Sequence, residues 1–112
     1  MIAEKFQAIV ALGVTNGRMK DYYDLWAIPN ALSLEPAALD AAIAATFARR
    51  ETAIPSVAPP GLSNLFTDDP QKVTQWAAYA ESISLEAVTL AQVVTAIWAY
   101  LGPSSARLNE ER

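Results

Sequence analysis

Apolar residues return every three or four positions along almost the whole of this chain, and no stretch alternates apolar and polar with period two. Such spacing lines one face of a helix and cannot line one face of a strand, so it restricts the chain to helices packed on helices. Ile2, Phe6, Ile9 and Val10 form a first stripe that runs to about Val14 and stops at the turn dipeptide Asn16-Gly17. A second helix, short and aromatic, is expected from Met19 to Ile28, ended by Pro29 through its ring and missing N–H. Ser33 is placed to cap a third, with Pro36 in its first turn and Leu39, Ile43, Thr46 and Phe47 inward until Arg49-Arg50 complement its C-terminal dipole. Residues 51–61, with prolines at 55, 59 and 60 and a closing glycine, read as an extended connection. Ser63 caps one turn through Phe66, and Asp69-Pro70 opens a helix expected to carry Val73, Trp76, Ala77 and Ala80 inward. A last helix from about Val88 to Leu101 should stop at Gly102-Pro103. The expectation is an all-α fold of about five helices, bundle-like or orthogonal, with no sheet: one helical domain over 1–103 and a flexible tail over 104–112.

Composition narrows the chemistry. At 112 residues and 53% hydrophobic content there is material for one core. A net charge of -4 with eight Lys plus Arg leaves no broad basic surface, so strong nucleic-acid binding by the chain alone is not expected. Cysteine and histidine are both absent, which removes disulfides, thiolate or imidazole metal sites and Cys/His nucleophile pairs together. The opening Met1-Ile2-Ala3-Glu4-Lys5 lacks the order of a signal peptide, and the most apolar stretch, Leu90 to Leu101, is too short to span a bilayer. A cytoplasmic protein without membrane contact is expected.

Two places break the local rules. Lys5 projects at the edge of the first apolar stripe, where a lysine either snorkels to solvent or is held to meet an anion. On the second helix, Lys20 and Asp24 share a face at i,i+4, and Asp21 sits in the first turn, where the helix dipole favours a carboxylate. The dipole does not favour Lys20 there, and Lys-before-Asp is the weaker orientation for such a pair. With Arg18 just outside the helix, cations and carboxylates are concentrated in one turn, a pattern suited to phosphate. Asp68-Asp69 is the only adjacent acidic pair before the tail, and its position before Pro70 makes it a helix cap rather than a metal site.

Taken together, Ala3-Glu4-Lys5-Phe6-Gln7-Ala8 and Arg18-Met19-Lys20-Asp21-Tyr22-Tyr23-Asp24-Leu25 resemble the third and fourth motifs of the AbiEii/AbiGii-type nucleotidyltransferase toxins, EKxxA followed by RxKDxxD. Ala45 to Thr52 and Lys72-Val73-Thr74-Gln75-Trp76 are also similar to that family's C-terminal helical region. The resemblance implies that Lys5, Asp21 and Asp24 are the catalytic positions in a partial or vestigial form. It further implies that Lys5, Arg18 and Lys20 face nucleotide phosphates. Nucleoside triphosphate and Mg²⁺ are implied for a full-length relative, whose metal site is an Asp-x-Asp element preceding these motifs. That element has no counterpart here, so the isolated chain is expected to hold no metal or cofactor and to be inactive alone, as a detached C-terminal half of a toxin-like enzyme of abortive-infection, toxin–antitoxin type.

An interaction module is the alternative. If these helices normally cover a nucleotidyltransferase region, Phe6, Ile9, Tyr22, Tyr23 and Trp26 present more apolar surface than one small core is expected to hide, which favours a homodimer. The partners implied are a second copy, a separate catalytic half or an antitoxin.

Overall fold

The computed structural model describes residues 2–31 and 34–110, with the side chains of 30 and 31 left aside. Among these residues there are six α-helices and two short 3-10 turns, and no strand. Ile2–Leu12 forms α1, Met19–Ala31 α2 and Pro36–Arg49 α3; Asn64–Thr67 forms α4, Pro70–Ser82 α5 and Leu90–Glu110 α6. The all-α expectation holds.

Helix α1 buries Ile2, Ala3, Phe6, Gln7 and Ile9 and ends at Leu12, because Gly13 takes a left-handed φ of +57° that a side chain would resist. A 3-10 turn over Gly13–Thr15 follows. Asn16 then folds its Oδ1 onto the Arg18 N–H at 2.8 Å, closing the turn before α2. Helix α3 starts with Pro36 at its first position after an extended Glu35, and buries Leu39, Ile43, Thr46 and Phe47 as the spacing predicts. The Ser33 cap lies outside the described residues. Ser63 and Asp69 cap α4 and α5 by accepting from the Leu65 and Gln71 N–H groups.

The centre is aromatic. Phe6 packs on Phe47 with centroids 5.2 Å apart and on Trp98 at 6.5 Å, while Tyr22 stacks on Phe66 at 4.8 Å. Tyr22 also donates its hydroxyl to the Gly61 carbonyl at 2.8 Å, tying α2 to the 3-10 turn Pro60–Leu62. Gly61 is required there by space, since a Cβ would lie 2.8 Å from the Ile9 carbonyl.

Several expectations need correction. Helix α2 does not stop at Ile28 but runs through Pro29 to Ala31. Proline's fixed φ is itself helical, and so late in the helix it removes only one hydrogen bond, while Tyr22 and Leu25 anchor the preceding turns in the core. Val73 and Ala77 face solvent; the inward stripe of α5 is Lys72, Trp76 and Ala80, spaced by four. Helix α6 continues through Gly102-Pro103 to Glu110 instead of giving way to a loose tail. Ser104, Ser105 and Leu108 are buried, Arg107 forks onto Asp40 at 2.8 and 3.0 Å, and Asn109 donates to the Pro55 carbonyl at 3.2 Å. These contacts offset the hydrogen bond that Pro103 removes. Finally, Phe6, Ile9 and Tyr22 are fully buried within this one chain, and Tyr23 and Trp26 pack half-buried against its core. The excess apolar surface that motivated a second copy is therefore mostly absorbed internally.

Candidate functional site

Helices α1 and α2 meet through charge. Lys5 reaches across from α1 and places its Nζ 3.1 Å from Asp21 Oδ1 and 2.9 Å from Asp24 Oδ2. The two carboxylates stand three apart on α2, one turn of the same face, so one ammonium satisfies both. Arg18 approaches the other oxygen of Asp21 at 3.4 Å, and Lys20 lies 2.8 Å from Asp24. Lys5 does not snorkel out to solvent: its side chain is 18% exposed, against 70% for Lys20, and its ammonium is held by the two carboxylates of α2.

Burial works against the charge on Lys5, yet its bonds to Asp24 and Asp21 outweigh that and raise its pKa above the ordinary value. Burial likewise pushes the Asp24 carboxyl up, and the hydrogen bonds and charges of Lys20 and Lys5 together hold it below the usual carboxylate range. Lys5 is thus locked in its cationic form. It can attract and orient an anion, and it cannot serve as a general base at neutral pH.

Beside this cluster a surface cavity of about 350 Å³ is lined by Lys5, Arg18, Arg50, Glu4, Gln7 and Asp21, together with Ala8. Three of the chain's eight basic side chains converge on it, in a protein of net charge -4. Lys20 does not line the cavity; it braces Asp24 from the solvent side. Sequence reasoning missed Arg50, reading Arg49-Arg50 only as complements to the α3 dipole. Its placement depends on how α3 ends: Glu51 adopts a left-handed φ of 50°, its N–H bonding back to Ala48 and that of Thr52 to Phe47 at 2.9 Å. The turned chain brings Thr52 within 2.9 Å of Gln7 on α1, and Arg50 to the cavity. Arg49, one residue earlier, points instead to Glu4 at 4.0 Å.

A larger cavity, about 590 Å³ between α5 and α6, has an apolar floor around Trp76 and Leu90 and a rim of Glu81 and Glu86. With no cation in its lining it does not suit a phosphate.

The family model for the nucleotidyl transferase AbiEii toxin of type IV toxin–antitoxin systems matches residues 1–101. The chain belongs to this AbiEii family. The match takes in Lys5, Arg18, Lys20, Asp21, Asp24 and Arg50, so the cluster and the cavity both lie inside the AbiEii region. No curated protein and no solved structure matches the chain significantly.

An AbiEii transferase is expected to use Mg²⁺, and these residues do not fit that ion. Among the described residues no three Asp, Glu, His or Cys side chains come together as a metal-holding group. Asp21 and Asp24 are already engaged by Lys5, Arg18 and Lys20, and Asp69 is occupied as the α5 cap. No helix among the described residues is long and apolar enough to cross a membrane.

Proposed function

We propose that this chain forms the phosphate-facing helical part of an AbiEii-type nucleotidyltransferase, and that the carboxylates holding the metal come from residues outside the described helices. The observation that carries this reading is the convergence of Lys5, Arg18 and Arg50 on one cavity, with Asp21 and Asp24 fixing Lys5 at its edge.

Transfer of a nucleotidyl group spreads negative charge over the triphosphate, and catalysis consists largely of holding that charge and orienting the attacked phosphorus. Lys5 supplies a permanent positive charge at a position set by two carboxylates, so little reorganisation is needed when phosphate arrives. Arg18 and Arg50 are more exposed and bring planar, bidentate donors to the same anion. Asp21 and Asp24 act here as positioning residues, holding Lys5 in place and charged. The toxin activity of the family, and a cognate antitoxin, belong to the same proposal.

The test is transfer of labelled nucleotide to RNA or protein, with each of the four nucleoside triphosphates. The chain alone should transfer none, and the chain joined to an AbiEii nucleotidyltransferase region bearing Asp-x-Asp should transfer label at a rate that Lys5→Ala lowers about a hundredfold. Incorporation by the chain alone that Lys5→Ala abolishes would show a complete enzyme. A joined protein indifferent to Lys5→Ala would remove Lys5 from the site.

A further inference from the structure

Among the described residues Lys72 is the one basic side chain that the fold hides: it lies in α5, is 6% exposed, and has no carboxylate paired with it there. Its Nζ donates to the Asn16 carbonyl at 3.2 Å and sits 5.5 Å from the centre of the Phe66 ring. Burying an ammonium without a counterion is costly, and a methionine or leucine would fill the same space without that cost. What the ammonium adds is a grip on Asn16.

Asn16 is 1% exposed and is the residue that shapes the turn into α2: its Oδ1 accepts the Arg18 N–H at 2.8 Å. Arg18 in turn pairs with Asp21, and Asp21 with Lys5. One turn further along α5, the Gln75 side-chain amide covers Gly17, where a Cβ would lie 3.7 Å from its Oε1. Asn16 Nδ2 and Gln75 Oε1 are both buried without a partner, so the polar join between α5 and the turn is incomplete apart from the Lys72 bond.

We propose that Lys72 is a positioning residue of the anion site, holding the Asn16–Arg18 turn from beneath so that Arg18 and Asp21 face Lys5. This rests on the reading of the Lys5–Arg18–Arg50 cavity as a phosphate site. Lys72 acts through Asn16 and does not line that cavity.

The test is titration of the chain with inorganic tripolyphosphate, in the wild type and in Lys72→Met and Lys72→Arg, followed through backbone amide signals, with melting temperatures measured alongside. Lys72→Met should weaken binding about fivefold while the melting temperature stays within a few degrees, and Lys72→Arg should keep most of the affinity, because it can still donate to a carbonyl. Exchange of the Arg18 amide hydrogen should quicken in Lys72→Met, with α3 unaffected; this readout needs no ligand. Equal affinity in wild type and Lys72→Met, or unchanged exchange at Arg18, would overturn the proposal. A wild type that binds no tripolyphosphate, with Arg18 exchange quickened in Lys72→Met, would overturn the phosphate site and leave the grip of Lys72 on the turn. If Lys72→Met fails to fold, the Lys72 side-chain ammonium signal of the wild type decides: it should shift with tripolyphosphate at the same concentration as the Arg18 amide, and an unmoved signal would contradict the proposal.

Discussion

Lys5 on α1 and Asp24 on α2 meet at 2.9 Å, with Lys5 held on its other side by Asp21 at 3.1 Å. Removing the shared cation leaves Asp21, 5% exposed, with Arg18 as its one remaining ion-pair partner among the described residues. Lys5→Met should therefore destabilise the fold by about 1–2 kcal/mol, between the values for exposed and buried pairs. Urea unfolding of Lys5→Met, Asp24→Asn and the double variant checks this: the two effects should be non-additive, and strict additivity would mean that the pair is screened by water.

The same contact sets a pH dependence. Asp24 titrates below its ordinary value of 3.8 in the folded chain, so its contribution to stability is present above that value and is lost as pH falls through the lowered one. Lys5 titrates above its ordinary 10.5, so its contribution is present below 10.5 and is lost as pH rises through the raised value. Acid unfolding followed by circular dichroism should show less loss of stability below pH 3.8 in Asp24→Asn than in the wild type. Identical acid limbs would contradict the assignment.

Tyr22 and Gly61 connect α2 to the 3-10 turn under Ile9. Burial pushes the Tyr22 hydroxyl far above its ordinary pKa, so it remains a donor to the Gly61 carbonyl. Tyr22→Phe keeps the stacking on Phe66 and should cost about 1–2 kcal/mol through the unpaired carbonyl. Gly61→Ala should cost about 1–3 kcal/mol, because its methyl would press on backbone. Thermal unfolding of both variants measures these losses.

Leu108, 8% exposed, lies beyond Gly102-Pro103 in the part of α6 expected to be loose. Leu108→Ala should cost about 2–3 kcal/mol in urea unfolding. A loss within about 0.5 kcal/mol, as for a surface substitution, would mean that the end of α6 contributes no packing.

The contrast between helices shows what a sequence of this kind can disclose. Periodicity located α1 and α3, and the caps Ser63 and Asp69 located the starts of α4 and α5, because these residues act on their own turns, whereas the N-cap position of α3 is Glu35 and not the expected Ser33. Pro29 and Pro103 misled for one reason: a local breaker was weighed without the tertiary contacts of Leu25, Ser105 and Leu108 that hold its helix together. The charged motifs were visible as Lys5 and the turn from Arg18 to Asp24, and their meeting follows from the short α1–α2 connection. The placements of Arg50 and Lys72 were not visible, since one reaches the cavity through the left-handed end of α3 and the other lies on α5, 56 residues from the Asn16 carbonyl it bonds.

The central claim is that Lys5, Arg18 and Arg50 form one phosphate site, and a titration of the isotope-labelled chain with inorganic tripolyphosphate at low salt tests it most directly. Amide signals of Lys5, Arg18 and Arg50 should move together with one dissociation constant, weaken as salt is raised, and lose about tenfold in affinity in Arg50→Gln, whose amide carries no charge. Signals that do not saturate, or that move at the Trp76 cavity while Lys5 and Arg50 stay still, would contradict it.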